Sequence, residues 1–136
     1  MTENSVRIIF DTNFLLIPGQ FKVDIFESID KLMNKPYYLC IFDATIDELK
    51  GLSAKNTKDK ASAKIALGLI KQKNLKSLHN SFSEEKSYID KIILDNVQDL
   101  DIICTQDKDL KRAIKQKSKK VRIITLKAKK HIDFEV

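Results

Sequence analysis

Four acidic residues occupy places in the sequence where a parallel sheet would bring its ligand-binding groups together. Asp11 directly follows the first short apolar run, and Asp107 lies just beyond the fourth. Glu48 lies in the helical segment after the second run, and Asp90 lies near the start of the helix that leads into the fourth. Because ligands bind beyond the carboxyl ends of parallel strands, we expect these four carboxylates to face one edge of the sheet.

Clustered carboxylates of this kind predict a site for hard divalent cations. Mg²⁺ and Mn²⁺ prefer carboxylate oxygens as ligands. Carboxylates gathered without a cation repel one another, and their pKa values rise. Bound ions activate a water and neutralise a leaving oxygen, and two ions about 4 Å apart would clamp the attacking and leaving oxygens. We therefore expect metal-dependent hydrolysis of a phosphodiester, with Asp109 as a secondary ligand candidate.

Each acid also fits a purely structural interpretation. Asp11-Thr12-Asn13 is typical of a turn after a strand. Residues 45–48 and 87–90 have the form of a capping box, and Asp107 would cap the helix that follows it. Capping does not explain why all four acids should face the same edge, so the joint pattern favours a site.

The periodicity of apolar residues predicts the element order β-α-β-α-α-β-α-β-α-β. The strands are expected at 6–10, 37–42, 75–78, 100–104 and 121–126, and the helices at 21–33, 45–52, 57–73, around 89–97 and at 107–117. Strands that alternate with helices predict an α/β fold, with a central parallel sheet covered by helices on both faces.

Length and composition fit one domain that spans residues 1–136. The chain is 43% hydrophobic, enough to form a core without disulfides or a structural metal. It has no apolar run of about 20 residues and no signal-peptide layout, so we expect a cytoplasmic protein with no membrane partner. Cys40 and Cys104 lack a Cys or His neighbour at metal-site spacing and are expected to be buried as small apolar side chains.

Basic residues are concentrated in the last third of the chain. Residues 108–130 contain eleven of the 25 Lys and Arg residues and a single acid. This distribution suits a polyanionic partner, although a solvated helix face would have the same composition. Lys108, Lys111, Arg112 and Lys115 are the candidates to hold an RNA backbone through its phosphates.

Four segments resemble, in order, the motifs of PIN-domain nucleases. They are 8–16 with Asp11 at the end of a strand, Asp47-Glu48-Leu49, 90–93, and 103–111 with Thr105-Gln106-Asp107. Together they span essentially the whole chain. Residues 17–26 further resemble archaeal members related to ribosomal-RNA-processing endonucleases, and the chain is close in size to VapC-type toxins.

The resemblance implies a three-layer α/β/α sandwich with strand order 3-2-1-4-5. It also implies an Mg²⁺- or Mn²⁺-dependent endoribonuclease, often a homodimer, that acts on RNA in ribosomal RNA processing or as a toxin. The partner would then be a ribosome precursor or an antitoxin. The implied catalytic metal ligands are Asp11, Glu48, Asp90 and Asp107. Asn13 and Thr105 would not bind the metal directly but would orient the ligand carboxylates or waters.

One departure from the family pattern leaves an alternative open. The family often has two adjacent acids at the third segment, whereas Ile89 precedes Asp90 here. The two isoleucines that follow favour Asp90 as the ligand, but the spacing to Asp107 would place Ile89 at the acidic position. In that case Asp109 would compensate, or the protein would bind RNA or a ribosome precursor without cutting it.

Two other chemistries fit the sequence less well. A small phosphatase with Asp11 as nucleophile usually needs a second aspartate two residues later, where this chain has Asn13. A receiver-type phosphotransfer domain needs an acidic pair on the first strand, and that pair is absent. His79 and His131 are isolated in the sequence, and we expect neither to be catalytic.

Overall fold

The structure, a computed structural model, describes residues 4–79 and 89–136. The strands are β1 (Val6–Phe10), β2 (Tyr37–Phe42), β3 (Lys76–Leu78), β4 (Ile102–Cys104), β5 (Arg122–Lys127) and β6 (His131–Phe134). The helices are α1 (Thr12–Leu15), α2 (Ile17–Phe21), α3 (Ile25–Leu32), α4 (Asp43–Ala54), α5 (Lys60–Gln72), α6 (Ile89–Asn96) and α7 (Lys108–Lys117).

The strands form one sheet with the order β3-β2-β1-β4-β5-β6. Strand β1 is central, and its Ile9 is paired with Cys40 on one side and Ile103 on the other. The first five strands pair in parallel, which confirms the predicted order 3-2-1-4-5. The sequence pattern does not predict the sixth strand, β6, which pairs with β5 in the antiparallel direction.

The turn that leads into β6 explains why the sequence did not predict this strand. Ala128 and Lys129 both have a φ of 55°, and Lys130 N donates to Lys127 O at 3.1 Å. Tight hairpin turns with positive φ are normally recognised by Asn or Gly. This turn contains neither residue, so the usual sequence signal for a hairpin is missing.

Side chains from the two faces of the sheet enter two separate cores. Ile8 and Phe10 of β1 pack into one core with residues of α3, α4 and α5. Ile9 packs into the other core with residues of α6 and α7. The three side chains are fully buried, so the predicted α/β/α layering is confirmed and β1 is a rigid support for the residue that follows it.

The helix predicted for 21–33 begins later, at Ile25. Lys22 has a φ of 55° and ends α2, and the Asp24 carboxylate then caps α3 by accepting from Glu27 N at 3.0 Å. Helices α1 and α2 occupy the segment between Asp11 and this break. The sequence pattern predicts no element for that segment.

Within the described ranges, no helix is both long and apolar enough to cross a bilayer.

Both cysteines are buried and free, as expected. Cys40 lies in the core under α6 and α7, and Cys104 lies in the core on the opposite face. Burial raises the pKa of Cys40 to about 11 and the pKa of Cys104 well above its usual value. The thiols therefore stay neutral and serve as packing groups.

Candidate active site

Asp11 lies at the carboxyl end of the central strand, and its side chain is nearly buried. Its backbone N–H donates to Cys104 O at 2.9 Å, which joins β1 to β4 at this point. Its Oδ1 accepts from Thr12 N at 2.9 Å, and its Oδ2 accepts from Thr105 Oγ1 at 2.8 Å. A carboxylate oxygen has two lone pairs, so each of these oxygens retains capacity for a further ligand.

The charge of Asp11 is costly in the folded protein. Burial raises the pKa of Asp11, and the hydrogen bonds from Thr105 and Thr12 lower it in part. The negative charges of Asp107 and Glu48 raise the pKa of Asp11 further. Acids from three distant segments therefore act on one another at this edge of the sheet. A cation would offset both the burial of Asp11 and the repulsion between the acids.

Thr105 connects Asp11 to the loop that carries Asp107. Its hydroxyl donates to Asp11 and accepts from Asp107 N at 3.1 Å, and its own N–H donates to Ile124 O at 3.1 Å. Asp107 caps α7, with its Oδ1 accepting from the N–H groups of residues 109 and 110. Its Oδ2 makes no hydrogen bond within the described residues. The predicted cap therefore exists and leaves one oxygen available.

Glu48 has no capping role, so that interpretation of 45–48 is wrong. Helix α4 begins at Asp43, and its N-cap, Phe42, has no side-chain hydrogen bond. Thr45, the presumed cap, is buried inside the helix, and its hydroxyl has no hydrogen-bond partner in the described part of the chain. Glu48 itself is exposed beside the fully buried Leu49. A structural role in helix initiation therefore does not account for this acid.

Asp90 is exposed in the first turn of α6, and its Oδ1 accepts from Lys91 N at 2.9 Å. The Lys117 ammonium donates to Leu94 O, which places the C-terminal parts of α7 and α6 side by side. Helix α7 joins β4 to the parallel strand β5, and α6 leads into β4, so both helices are expected to begin near the edge at which these strands end. The charge of Asp90 is not among those that raise the pKa of Asp11.

Ile89 is almost buried in the core under α6, so the structure gives this position a packing role. Residues 87 and 88, which complete the predicted capping box, lie outside the described residues.

The remaining candidates for the metal site are exposed. Asp109 lies 3.4 Å from the Arg112 guanidinium, and 88% of its side chain is accessible. Asn13 is exposed on α1, two residues from Asp11. Across residues 4–79 and 89–136, no three His, Cys, Asp or Glu side chains form a ready-made metal site. The acids thus interact through charge without a complete ligand shell.

The four predicted RNA-binding residues line one groove along α7. The groove has a volume of about 320 Å³ and is lined by Lys108, Lys111, Arg112, Lys115, Glu135 and Val136. Lys108, Arg112 and Lys115 are exposed. Lys111 differs because its ammonium donates to Thr125 Oγ1 at 2.8 Å and lies 3.3 Å from Glu135 Oε2. Three cations of this groove are therefore accessible, and the fourth is engaged inside the fold.

The sequence pattern does not reveal a contact between a histidine and an aspartate at the same edge of the sheet. The imidazole Nδ1 of His79 contacts the carboxylate of Asp43, so His79 is not isolated. Asp43 directly follows β2, and His79 directly follows β3. The rule that identified Asp11, a polar residue immediately after a strand, also applies to both of these positions.

A second groove, larger than the one along α7, lies away from the candidate acids. It has a volume of about 960 Å³ and includes Tyr37 and Tyr38, at the start of β2, with Lys35, Lys73 and Lys76. Strand β2 begins at the edge opposite the one that carries Asp11. This groove therefore adds no group to the candidate site.

Comparison with known proteins agrees with the fold. Ribonuclease VapC4 from Methanocaldococcus jannaschii is 25% identical over 131 residues, which cover 94% of this chain and 95% of that protein. The structure of the PIN domain endonuclease Utp24 superposes with a TM-score of 0.78 and 26% identity, over 95% of this chain and 90% of that one.

A further structure supports the fold alone. It is a domain of a functionally unknown protein from Methanocaldococcus jannaschii, with a TM-score of 0.60 and 16% identity over 91% of this chain and 93% of that one. The family model described as a PIN-like domain matches residues 8–129, which is most of the sequence. The chain therefore belongs to the family of PIN-like domains.

Proposed function

We propose that this protein is a divalent-metal-dependent endoribonuclease that hydrolyses phosphodiester bonds of RNA. The observation that carries the proposal is the buried carboxylate of Asp11, whose pKa is raised by burial and by the charges of Asp107 and Glu48. Such a cluster is costly unless a cation offsets it. A ribonuclease and an endonuclease among the relatives favour the same chemistry.

Mg²⁺ or Mn²⁺ fits the donor set because every donor is a hard carboxylate oxygen. In this proposal Asp11, Glu48 and Asp107 hold the metal, and Asp90 is the fourth acid. When bound, the ion supplies activation of a water and neutralisation of the leaving oxygen. Asp109 is the alternative to Asp90, since each is exposed in the first turn of a helix that begins near this edge.

The chain's own residues prepare this site and its substrate. Thr105 fixes the orientation of the Asp11 carboxylate through its hydrogen bond, and Asn13 is proposed to orient a water beside it. Lys108, Arg112 and Lys115 are proposed to bind RNA phosphates in the groove along α7, the helix that Asp107 caps. Such contacts hold the backbone without reading the base sequence.

Cleavage of RNA by the purified protein in Mn²⁺ tests the proposal. Asp11→Asn is expected to abolish cleavage while the circular-dichroism spectrum stays intact. The matched control is Asp95→Asn, at an exposed acid on the far turn of α6, which should cleave like the parent. Equal cleavage by Asp11→Asn and the parent would refute the proposal.

The same assay identifies the fourth acid. We expect Asp90→Asn to lose activity and Asp109→Asn to retain it. Loss with Asp109→Asn alone would assign the ligand to α7 and would confirm the alternative alignment, in which Ile89 takes the acidic position.

A second function, RNA binding without cleavage, is favoured by one observation. Ile89 stands where the family often has a second acid, and it packs into the core under α6 and α7. Calorimetric titration with Mn²⁺ separates the two functions, since a non-catalytic binder would retain RNA affinity without a response to the ion. A binding signal that disappears in Asp11→Asn would favour the nuclease.

We further propose a homodimer in the cytoplasm that acts either as a toxin-type ribonuclease with an antitoxin or in ribosomal RNA processing. The relative named ribonuclease VapC4 shares its name with the VapC-type toxins that this chain resembles in size, which favours the first role. Expression of the protein should then arrest growth, and expression of Asp11→Asn should not. Absence of arrest, with accumulation of uncut ribosomal precursor when the gene is deleted, would favour the processing role.

A further inference from the structure

We propose that Gln106 is a positioning residue, which fixes the loop between Thr105 and Asp107 by binding it to β5. This inference rests on the proposed function, because it assigns Gln106 to the same site. Gln106 Oε1 accepts a hydrogen bond from Thr125 Oγ1 at 2.7 Å and another from Leu126 N at 2.6 Å. Both partners lie about twenty residues further along the chain, so the contact is tertiary.

The loop is held from two directions. On one side the Thr105 hydroxyl donates to Asp11, which follows β1. On the other side Gln106 contacts Thr125 and Leu126 of β5. Asp107 comes next in the chain, and its N–H donates back to the Thr105 hydroxyl. The direction of the Asp107 carboxylate therefore depends on contacts to both neighbouring strands.

The donors around Gln106 fix the orientation of its amide. The Thr125 hydroxyl accepts from Lys111 Nζ at 2.8 Å, so its single proton is free to go to Gln106. Leu126 N is likewise a donor. Both partners donate, so the side chain at position 106 must present an oxygen to β5. A glutamate meets this requirement, whereas a methionine of similar length does not.

The same network extends to the last strand. The Lys111 ammonium lies 3.3 Å from Glu135 Oε2, and Glu135 N donates to Ile123 O at 2.8 Å. Lys111, a residue of α7, is thereby held by Thr125 of β5 and by Glu135, which follows β6. Its role is to support Thr125 and Gln106, which distinguishes it from the exposed cations of the groove.

The kinetic test compares three variants with the parent. Gln106→Met removes the acceptor and is expected to lower kcat for RNA cleavage about 10- to 100-fold. This is the range typical of losing a hydrogen bond that orients a metal ligand, about 10- to 100-fold. The KM for RNA should stay within about twofold because no RNA contact is removed. Gln106→Glu should retain most of the activity. The matched control, Gln116→Met on the exposed side of α7, should behave like the parent.

A second measurement needs neither RNA nor metal. Amide hydrogen exchange at Leu126 and Asp107 should accelerate in Gln106→Met and stay slow in Gln106→Glu and Gln116→Met. Should Gln106→Met fail to fold, Thr125→Val removes one of the two bonds and should accelerate exchange at both amides to a smaller extent.

Unchanged exchange at Leu126 and Asp107 in a variant that lacks the acceptor would overturn the inference, as would an unchanged kcat in an active enzyme. If the parent does not cut RNA, the proposed function fails and the exchange data alone decide the role of Gln106. The two failures are therefore distinguishable.

Discussion

The Thr105 hydroxyl donates a hydrogen bond to Asp11 Oδ2 at 2.8 Å, although 94 positions separate the two residues. Thr105 is fully buried, so water does not compete for this bond. The bond lowers the pKa of Asp11 and thus opposes the effect of burial. It keeps a carboxylate available for a cation at a place where the protein interior disfavours charge.

Thr105→Val keeps the shape of the side chain and removes this donor. The pKa of Asp11 should rise further, and RNA cleavage should fall about 10- to 100-fold. The acidic limb of the pH–rate profile should also move to higher pH. Thr105→Ser retains the hydroxyl and should restore most of the activity. A valine variant with parental rates and an unmoved profile would show that the bond has no role in the site.

The raised pKa of Asp11 also predicts a pH dependence of stability. The folded protein binds this proton more tightly than the unfolded chain, whose carboxyl has the ordinary value of 3.8. Protonation of Asp11 therefore increases the free energy of unfolding. This contribution is fully present below the unfolded pKa and is lost as the pH rises through the folded pKa.

Asp11→Asn removes this titration. In metal-free buffer, the Tm of Asp11→Asn should exceed that of the parent by a margin that grows from acidic to neutral pH. Mn²⁺ should raise the Tm of the parent and reduce the margin. Thermal unfolding of both proteins across the pH range measures the effect. A margin that shrinks toward neutral pH would contradict the assignment.

An ion pair at the opposite edge of the sheet is expected to make a large contribution to the free energy of unfolding. The Arg7 guanidinium contacts both oxygens of Asp101 at 3.1 and 2.7 Å, and only 5% of the Asp101 side chain is exposed. Arg7→Met leaves this buried carboxylate without its cation, which should cost about 3–5 kcal/mol. Lys31→Met, in an exposed pair with Glu27, should cost under about 1 kcal/mol. Urea unfolding compares the two variants, and equal midpoints would refute the difference.

Gly19 lets α2 pack closely on α5. A Cβ at this position would lie 2.7 Å from Ser62 Cα, whereas a Cβ at Gly68 would meet no atom within 4 Å. Gly19→Ala is therefore expected to destabilise the fold by about 1–3 kcal/mol through overpacking. Gly68→Ala in α5 should instead stabilise it by up to about 1 kcal/mol. Urea unfolding measures the change in the free energy of unfolding for both variants. Stabilisation by Gly19→Ala would contradict the close contact between α2 and α5.

The general position of the site was predictable because residues after parallel strands meet at one edge. Asp11 and Asp107 follow that rule. The alternation of apolar runs and helices predicted the α/β class, and the family resemblance implied the strand order that the sheet has. Thr105 was expected to orient a carboxylate or a water, and its hydroxyl donates to the Asp11 carboxylate. Its identity as a metal-site residue remains a prediction.

Other features depend on contacts that no local pattern encodes. The acceptor role of Gln106 requires β5 to lie beside the loop. Helix α4 begins at Asp43, directly after β2 and without an intervening turn. The predicted capping box at residues 45–48 therefore lies inside the helix and not at its start. Strand β6 follows a turn with left-handed residues that lack the usual Gly or Asn. Tertiary packing decides each of these features.

An anomalous-scattering map from a crystal soaked in Mn²⁺ tests the central claim most directly. We predict at least one ion within coordinating distance of Asp11 and Asp107, with Glu48 as a direct or water-mediated ligand. A map from a fully soaked, ordered crystal that shows no ion at this edge, or an ion bound only elsewhere, would contradict the account.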